Sequence, residues 1–541
     1  MSIAIGEDRE ALAATARRFL ADRCPPAVAR AAMEAEAEAL PPFWGELAGL
    51  GWLGLAVAGA DGGEGYGYAD LAVVVEQLGR VVAPGPMLPT AWAAALAPPE
   101  ARPDLAAGRR VGAVALGGSI AGTPQGEGRL RLTGSTGPVL CGAVADLVVV
   151  PVTVGGDERW AVVERAGATA TPLAPLDPTR GLARLDLAGA IADPVPGLDR
   201  ARVEAVGVAL AAAEAAGGAA WCVEVAAAYA RDRRQFGRPI GQFQAVKHRC
   251  ADMLVGLEQA RAVAWDAAAA LDGDPRGDDT ALAVAAAGAV AFEAYAAAAK
   301  DCIQVLGGIG FTWEHDAHLY LRRAAALRQL FGGAAPWRVA TARAALDGVR
   351  RHLGLELPAD AESFRAEVRT TVEEIAELPR DERRRRLADT GLLVPHWAPP
   401  WGRNAGAAQQ LVIDQELRRA KVRVPHLQVG AWAAPTIAAH GTPEQQERWV
   451  GPTLHGEIAW CQLFSEPDAG SDLASLTTTA TRSDGGWLLD GQKVWTTMAA
   501  EADWGICLAR TDAEAPKHLG ITYFVVDMTA PGIEIRPLRE L

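Results

Sequence analysis

The chain repeats its own beginning. LAGLG at 47–51 returns as LADTG at 387–391, and AWAA at 91–94 returns as AWAA at 431–434, both 340 residues later. Further on, LTG at 132–134 faces LDG at 489–491 and Ala145-Asp146 faces Ala502-Asp503, now 357 residues apart. Self-similarity at a fixed offset decides architecture before any residue-level reading does. Whatever the first copy folds into, the second is bound to attempt as well.

The texture of the sequence divides each copy. Residues 7–40 are rich in Ala, Glu and Arg at helical spacing, Pro41-Pro42 stops them, and a short apolar helix is expected from Phe43 to Leu50. After a Gly-rich loop at 62–67, DLAVVVEQLGRVV reads as a helix with Asp70 as its N-cap and Pro84 as its stop. From Val111 to about Pro196 alternating β-branched runs such as RLRLTG and ADLVVVPVTV predict a β domain. From Arg202 to Arg350 long Ala-rich stretches, broken near Pro239, Asp272–Gly277 and Gly307–Gly310, predict a bundle of four or five helices. The order is helical, β, helical, then helical, β. The expected domains are 1–108 (helical), 109–198 (β), 199–352 (bundle), 353–456 (helical) and 457–541 (β, incomplete). No counterpart of the bundle follows the second copy within the 541 residues.

Composition excludes several classes. With 50% hydrophobic and 22% charged residues the chain buries real cores, and a net charge of −14 repels nucleic acid. Seven cysteines are scattered without a CxxC pair, which predicts neither zinc nor a redox motif and points to a reducing, cytoplasmic compartment. Glu7, Asp8, Arg9 and Glu10 interrupt the stretch where a secretion signal would need apolar residues. The Ala-rich runs 205–221 and 281–299 carry Glu214 and Glu293, so they read as packed helices rather than membrane spans. Cys222, Cys250 and Cys302 are expected in their core. His315 and His318, three apart with no third ligand, read as surface or packing residues, so no metal is expected. Arg383–Arg386 reads as a solvated helix face.

There is no GxxxxGK[ST] and no strand-anchored GxGxxG, so a nucleotide cofactor would have to bind another way. The richest stretch is WCQLFSEPDAGSDL at 460–473, where small residues let backbone N–H groups approach a ring edge or a phosphate and Ser465 and Ser471 add hydroxyls. About 25 residues on, GQKVWTTMA places Trp495 and Thr497 on alternate positions of an expected strand, an indole and a hydroxyl on one side suited to a flat heteroaromatic ring.

These two segments resemble the flavin-binding middle domain of the acyl-CoA dehydrogenase family. RRQFGRPIGQFQAVKH at 233–248 and QVLGGIGFTWEH at 304–315 resemble the family's C-terminal bundle, and 1–100 and 360–455 resemble its N-terminal domain. The whole is similar to a tandem, fused acyl-CoA dehydrogenase of bacterial type with a truncated second copy. The implied fold is a multidomain α+β arrangement of two copies, each a helical domain plus a middle β-barrel, with a helical bundle only after the first.

The resemblance implies FAD as cofactor. Ser465, Gly470 and Ser471 would line flavin and acyl-CoA, with Ser471 on the substrate, and Trp495 and Thr497 would flank the ring. Arg233, Gln235, Phe236, Phe243 and Gln244 would reach a neighbouring FAD, whose adenine-ribose and diphosphate end Gln304, Gly307 and Gly308 would hold. The first copy departs from the pattern at each ring position: Pro138 faces Trp495, Leu140 faces Thr497 and Gly117 faces Ser465. One FAD per chain is therefore expected, its ring on the second copy and its far end clasped by the first copy's bundle, within the chain or across a dimer. Phe331-Gly332-Gly333 occupies the turn where many members carry the catalytic glutamate, so Gly332 stands in its place. Glu204 is the nearest other carboxylate but misses the alternative position by about three residues; the base is expected in a bundle belonging to the second copy.

The implied reaction is oxidation of an acyl-CoA thioester to the 2,3-enoyl thioester, with electrons passing to an electron-transferring flavoprotein and an acyl group that in tandem members is often bulky, such as a steroid side chain. The alternative is a catalytically incomplete fragment or non-catalytic flavin-binding partner subunit. A third is an oxidase or monooxygenase on the same fold.

Overall fold

In the computed structural model, which describes residues 6–351, 357 and 359–539, the Ala-rich run after Asp199 is one 33-residue helix, Arg200–Asp232. It starts where the Asp199 carboxylate accepts the Arg202 backbone N–H at 2.8 Å. Gln244–Asp272, Asp278–Leu306, Ala317–Leu330 and Ala334–Leu346 follow, five helices in all. Arg200–Asp232 is long and apolar enough to cross a bilayer, but 94% of its apolar window is buried among its neighbours. For Asp278–Phe311, which meets the same test, the buried share is 56%.

Small side chains set how closely this bundle meets the N-terminal helices. A Cβ on Gly217 would lie 1.8 Å from the Glu76 carbonyl oxygen, and one on Gly79 2.0 Å from that of Glu214. Helices Tyr68–Arg80 and Arg200–Asp232 therefore cross with their backbones in contact, which any larger residue at either glycine would prevent. Helix Tyr68–Arg80 has Gly67 as its N-cap. Asp70 is not the cap but stands three residues in, and its carboxylate accepts the Gly67 N–H at 3.3 Å. The helical run from Glu7 breaks at Arg23 and ends at Glu34, short of Pro41.

Between these helices lies an eight-stranded sheet whose pairings close a circuit. Leu147–Val154 pairs with Asp157–Glu164, which pairs with Leu182–Pro194. That strand pairs with Leu130–Thr136, and Leu130–Thr136 with Gly118–Pro124, whose Ala121 returns to Thr153. The result is a small barrel with no free edge around the circuit. Where barrel and bundle meet, Arg323 is 1% exposed. Its guanidinium donates to Asp177, to Glu214, to Thr179 Oγ1 at 2.6 Å and to the Ala83 carbonyl at 3.2 Å. Arg180 adds a two-pronged pair to Glu214 at 2.9 and 2.6 Å. Burial alone would push both carboxyls up, yet the two guanidiniums hold Asp177 and Glu214 below their ordinary values.

The first unit, Met1–Leu353, contains all of this, and Gly354–Leu541 forms a second. Helices Ala359–Glu377, Arg380–Asp389, Ala407–Arg419, Gly430–His440 and Pro443–His455 precede a five-stranded sheet. The arginine run is not a solvated face throughout. Arg384 donates to the Leu454 and Thr453 carbonyls at 3.0 Å each, Arg383 to those of Leu378 and Ala376, and only Arg385 and Arg386 stay exposed in ion pairs. The free carbonyls at helix ends are the reason, since a guanidinium is the donor that reaches them.

The two sheets open with the same bonds. Gly112–Val114 runs parallel to Leu147–Val154, with Gly112 opposite Leu147; Trp460–Leu463 runs parallel to Trp504–Arg510, with Trp460 opposite Trp504. The Asp146 carboxylate accepts the Val111 N–H at 2.8 Å, and that of Asp503 accepts the Ala459 N–H at 2.8 Å.

Candidate functional site

The segment 460–498 is built around one buried ion pair. Glu466 and Lys493, with side chains 3% and 8% exposed, meet at 2.9 Å. Glu466 also accepts the Thr477 N–H at 2.6 Å, the Thr477 hydroxyl at 2.8 Å and the Thr478 N–H at 2.9 Å. Lys493 spends its other protons on the Phe464 and Leu508 carbonyls, at 3.1 and 2.8 Å. Burial opposes ionisation of Glu466, but these hydrogen bonds outweigh it and hold the carboxyl at about 2. The loop Ser465–Ser471 and the segment carrying Trp495 are thereby tied to the sheet at a common point.

What this brace presents differs from the expected strand. The strand ends at Asp490, and 491–498 is irregular. Lys493 points inward, Val494 donates its N–H to the Ser465 carbonyl at 2.9 Å, and Trp495 takes a left-handed conformation at φ 60°. The alternation read from VWTT fails because the buried ammonium, not sheet pairing, fixes the path. Trp495 and Thr497 are still both exposed, and the indole is 75% accessible. A tryptophan held at positive φ with its ring in solvent costs energy that local packing does not return. Thr496 Oγ1 beside it is buried without a hydrogen-bond partner among the described residues. Ser465 is half-buried and Gly470 and Ser471 exposed, and a Cβ added at Gly470 meets nothing within 4 Å. An open loop, an exposed indole and the exposed Thr497 fit a planar ring with a polar edge.

In the first unit, residues 233–244 make a hairpin after the long helix. Arg234–Gln235 pairs with Arg238–Pro239 across Phe236 and Gly237, at φ 53° and 78°. Two positive φ values at the tip match a two-residue hairpin turn, for which phenylalanine is a poor choice. Phe236 is 92% exposed, packed edge-on against Phe243 with centroids 5.8 Å apart, and Arg238 lies over the Phe243 ring at 4.2 Å. Arg233 and Gln244 are exposed, and Gln235 donates to the Arg234 carbonyl at 2.8 Å. At the end of helix Asp278–Leu306, Gln304, Gly307 and Gly308 are all exposed, with open space where either glycine's Cβ would go. Exposed arginine and open glycines fit an anionic group approaching the backbone.

The first unit's counterparts of these positions keep one backbone bond and lack the hydrogen-bonding side chains. Gly137 donates its N–H to the Gly117 carbonyl at 2.8 Å, the bond that Val494 makes to Ser465. Yet Gly117, Pro138 and Leu140 offer no side-chain hydrogen-bonding group. Gly332 sits at φ 74°, and Glu204 is half-buried beside Arg200 at 3.6 Å. Burial raises the Glu204 carboxyl, with Arg200 pulling against it. His318 stacks on Trp313 at 4.4 Å, and among the described residues no group of three metal-ligating side chains occurs. Cys222 and Cys302 are buried as expected; Cys250, near the open start of its helix, is only half-buried. The Glu466–Lys493 pair was the feature sequence reasoning passed over, although opposite charges inside two otherwise small or apolar motifs are a signal for it.

Comparison with known proteins bears on all these segments. The profile of the acyl-CoA dehydrogenase C-terminal domain matches 205–346, that of the middle domain 461–541, and that of the N-terminal domain both 6–99 and 358–457. Acyl-CoA dehydrogenase FadE34 of Mycobacterium tuberculosis is 51% identical over 514 residues, spanning 94% of this chain and 70% of its own. Among solved structures, the Tcur3481-Tcur3483 steroid ACAD superposes with a TM-score of 0.59 at 27% identity, covering 64% of this chain and 99% of that one. The ChsE4-ChsE5 complex from Mycobacterium tuberculosis gives 0.59 at 28%, covering 65% and 100%.

Proposed function

The chain belongs to the acyl-CoA dehydrogenase family of oxidoreductases, and on that premise we propose that it is an FAD-dependent enzyme that oxidises an acyl-CoA thioester to the 2,3-enoyl thioester. The observation that carries this is the presented group at 495–497: an exposed indole at positive φ with exposed Thr497 two residues on, braced by Glu466 and Lys493.

In this reading Ser465, Gly470, Ser471, Trp495 and Thr497 receive the ring, and Ser471 also meets the thioester substrate. The Trp495 indole covers one face of the ring and excludes water from it. Arg233, Gln235, Phe236, Phe243, Gln244, Gln304, Gly307 and Gly308 hold a diphosphate and adenosine end, with the Arg233 guanidinium neutralising the diphosphate. When bound, FAD supplies an acceptor for the hydride leaving the β-carbon. The α-proton needs a carboxylate, and neither first-unit position supplies one well: Gly332 has no side chain, and Glu204 is engaged by Arg200. An electron-transferring flavoprotein as acceptor and a bulky acyl group complete the proposal; the likeness to a steroid ACAD supports the latter. Residues 109–198 are proposed as a middle domain that has lost its ring contacts.

The second reading, a flavin-binding subunit without turnover, is favoured by Gly332. One experiment separates them. The purified chain is assayed for FAD content, then its visible spectrum is followed anaerobically with acyl-CoA, alongside Arg233→Ala and Trp495→Ala. FAD that bleaches supports the enzyme; FAD that does not, across short and bulky acyl chains, supports the subunit. Unchanged FAD affinity and spectrum in both variants would refute the residue assignment.

A further inference from the structure

One strand closes the first unit's barrel, and the second unit has both neighbours of that strand with nothing between them among the described residues. Leu182–Pro194 pairs on one side with Leu130–Thr136 and on the other with Asp157–Glu164. Repeated pairings identify the counterparts of those two neighbours. Thr479 bridges Arg510 as Ala121 bridges Thr153, Leu489 stands for Leu132, and Phe524 faces Cys507 as Ala161 faces Val150. Yet Gly486–Asp490 pairs only with Thr479–Ser483, and Ile521–Asp527 only with Trp504–Arg510, among the described residues. Each leaves a row of backbone groups free along its outer side.

The side chains differ in the same sense. Leu130, Leu132, Ala161 and Val163, beside the closing strand, are at most 5% exposed. Their counterparts Trp487, Leu489, Phe524 and Val526 are half-buried or exposed, Trp487 at 40%. The Trp487 and Phe524 rings, one from each edge, meet edge-on with centroids 5.5 Å apart, so the two edges border one common gap.

The first unit also shows what such a gap takes. In Leu182–Pro194 the buried positions are Ala183, Leu185 and Leu187, then Ala190 and Ala192. The alternation changes phase at Gly189, at φ 85°, where the pairing to Leu132 and Thr133 shifts by one residue. A glycine bulge bends the strand there, and beyond it Ala192 pairs with both Leu130 and Val163. A folded second copy cannot supply such a strand from its own edges, because each of those has one free side and the gap takes a strand bonded on both.

We propose that this gap is a strand-binding site whose occupant is an extended polypeptide segment with small or apolar residues at alternate positions and a glycine at the bulge. The segment adds to Gly486–Asp490 and to Ile521–Asp527 at once, and its residue at the Ala192 position lies opposite both Trp487 and Val526. Main-chain hydrogen bonds hold it, and the inward side chains fix its register. The site stands whether or not the chain binds flavin.

The probe is a fluorescein-labelled peptide of sequence LARLDLAGAIADP, residues 182–194, added to the full chain and followed by fluorescence anisotropy. One saturable site per chain is the expected result. In the peptide, Gly189→Val, and separately Leu185→Asp with Leu187→Asp, should each weaken binding roughly tenfold or more, whereas Ile191→Lys, at an exposed position, should change it by less than about threefold. Amide hydrogen exchange in the saturated complex should slow roughly tenfold or more within 486–490 and 524–526 and stay unchanged in 130–136. No saturable site, undiminished binding of either weakened peptide, or protection elsewhere than at these two edges would each overturn the proposal. So would protection of both edges by self-association of the chain without peptide, which would put a second copy in the gap.

Discussion

Lys493→Met isolates what the Glu466–Lys493 brace contributes. The substitution keeps the aliphatic volume and removes the ammonium, leaving a carboxylate 3% exposed with three of its four donors. It also deprives the Phe464 and Leu508 carbonyls of a shared donor. Breaking a buried pair by removing one partner costs about 3–5 kcal/mol; since three donors to Glu466 survive, the lower figure applies. At about 1.36 kcal/mol per decade, 3 kcal/mol is roughly a 150-fold rise in the population of the open segment. Unfolding of a chain with two units is not a single transition, so a local readout is needed. Amide hydrogen exchange at Thr477, Thr478 and Val494, corrected for intrinsic rates, supplies it. A rise of about a hundredfold is expected, with at least half recovered in Lys493→Met/Glu466→Leu, which leaves no lone charge. A rise under threefold would refute the reasoning. The pH dependence has a fixed sign: the folded carboxyl is held at about 2 against an ordinary 4.5, so its stabilisation is complete above 4.5 and fades as pH falls toward 2.

Three further outcomes are expected. Arg323→Met strands Asp177 at the barrel–bundle junction while Glu214 keeps its two-pronged pair to Arg180, and should lower first-unit stability in thermal unfolding by about 3 kcal/mol, the low end for breaking a buried pair. Because both carboxyls are depressed from 3.8 and 4.5, the parent loses stability as pH falls below those values, and the variant should show a shallower loss; an equal slope would count against the pair. Gly332→Glu places a side chain at φ 74° with only Pro336 at 4.0 Å, so it should cost roughly 1–2 kcal/mol and leave turnover unchanged, and a gain of dehydrogenation would contradict the loss of ring contacts in that copy. Burial pushes the Cys24 thiol to about 12 and that of Cys461 to about 11 and raises Cys141, Cys222, Cys507 and Cys250 as well, so exposure decides, and alkylation of the native chain at pH 8 should reach half-buried Cys250 first; more than two thiols reacting would overturn this.

What was legible in the sequence was whatever rests on periodicity or on repetition. The helical and β textures of 1–350 appear as bundle, barrel and N-terminal helices because each is set by local hydrophobic spacing, and the duplicated LAGLG and AWAA segments lie at corresponding places in the two units. Family membership was legible because four motifs occur in order. What failed were inferences about single polar residues. Asp70 serves from the third helical position, Arg383 and Arg384 turn inward to helix-end carbonyls, and Lys493 breaks the expected strand at 491–498. Each depends on a partner between 3 and 70 residues away, and a charge looks the same in sequence whether its partner is water or a buried carbonyl. Glu466, with donors 11, 12 and 27 residues away, was invisible for that reason.

The two units also show which part of this segment they hold in common and which part differs. Cys141 and Met498, 357 residues apart, both stand at positive φ, 55° and 65°, and the Gly117–Gly137 bond repeats that of Ser465 and Val494. The scaffold of the turn is therefore held in common. Position 138 departs from it: proline confines φ near −65°, whereas Trp495 stands at 60°. Losing the indole was thus not a side-chain exchange on a fixed backbone but a change of the local turn, and Trp at 138 alone would not point where Trp495 does. With that turn different, the first unit places no indole where the second has Trp495, and Gly117 and Leu140 stand where the second has Ser465 and Thr497. The buried Arg180, Glu214, Asp177 and Arg323 set joins barrel to bundle whether or not a cofactor lies beside it. The residues that tie barrel to bundle are thus separate from positions 117, 138 and 140, where the two units differ.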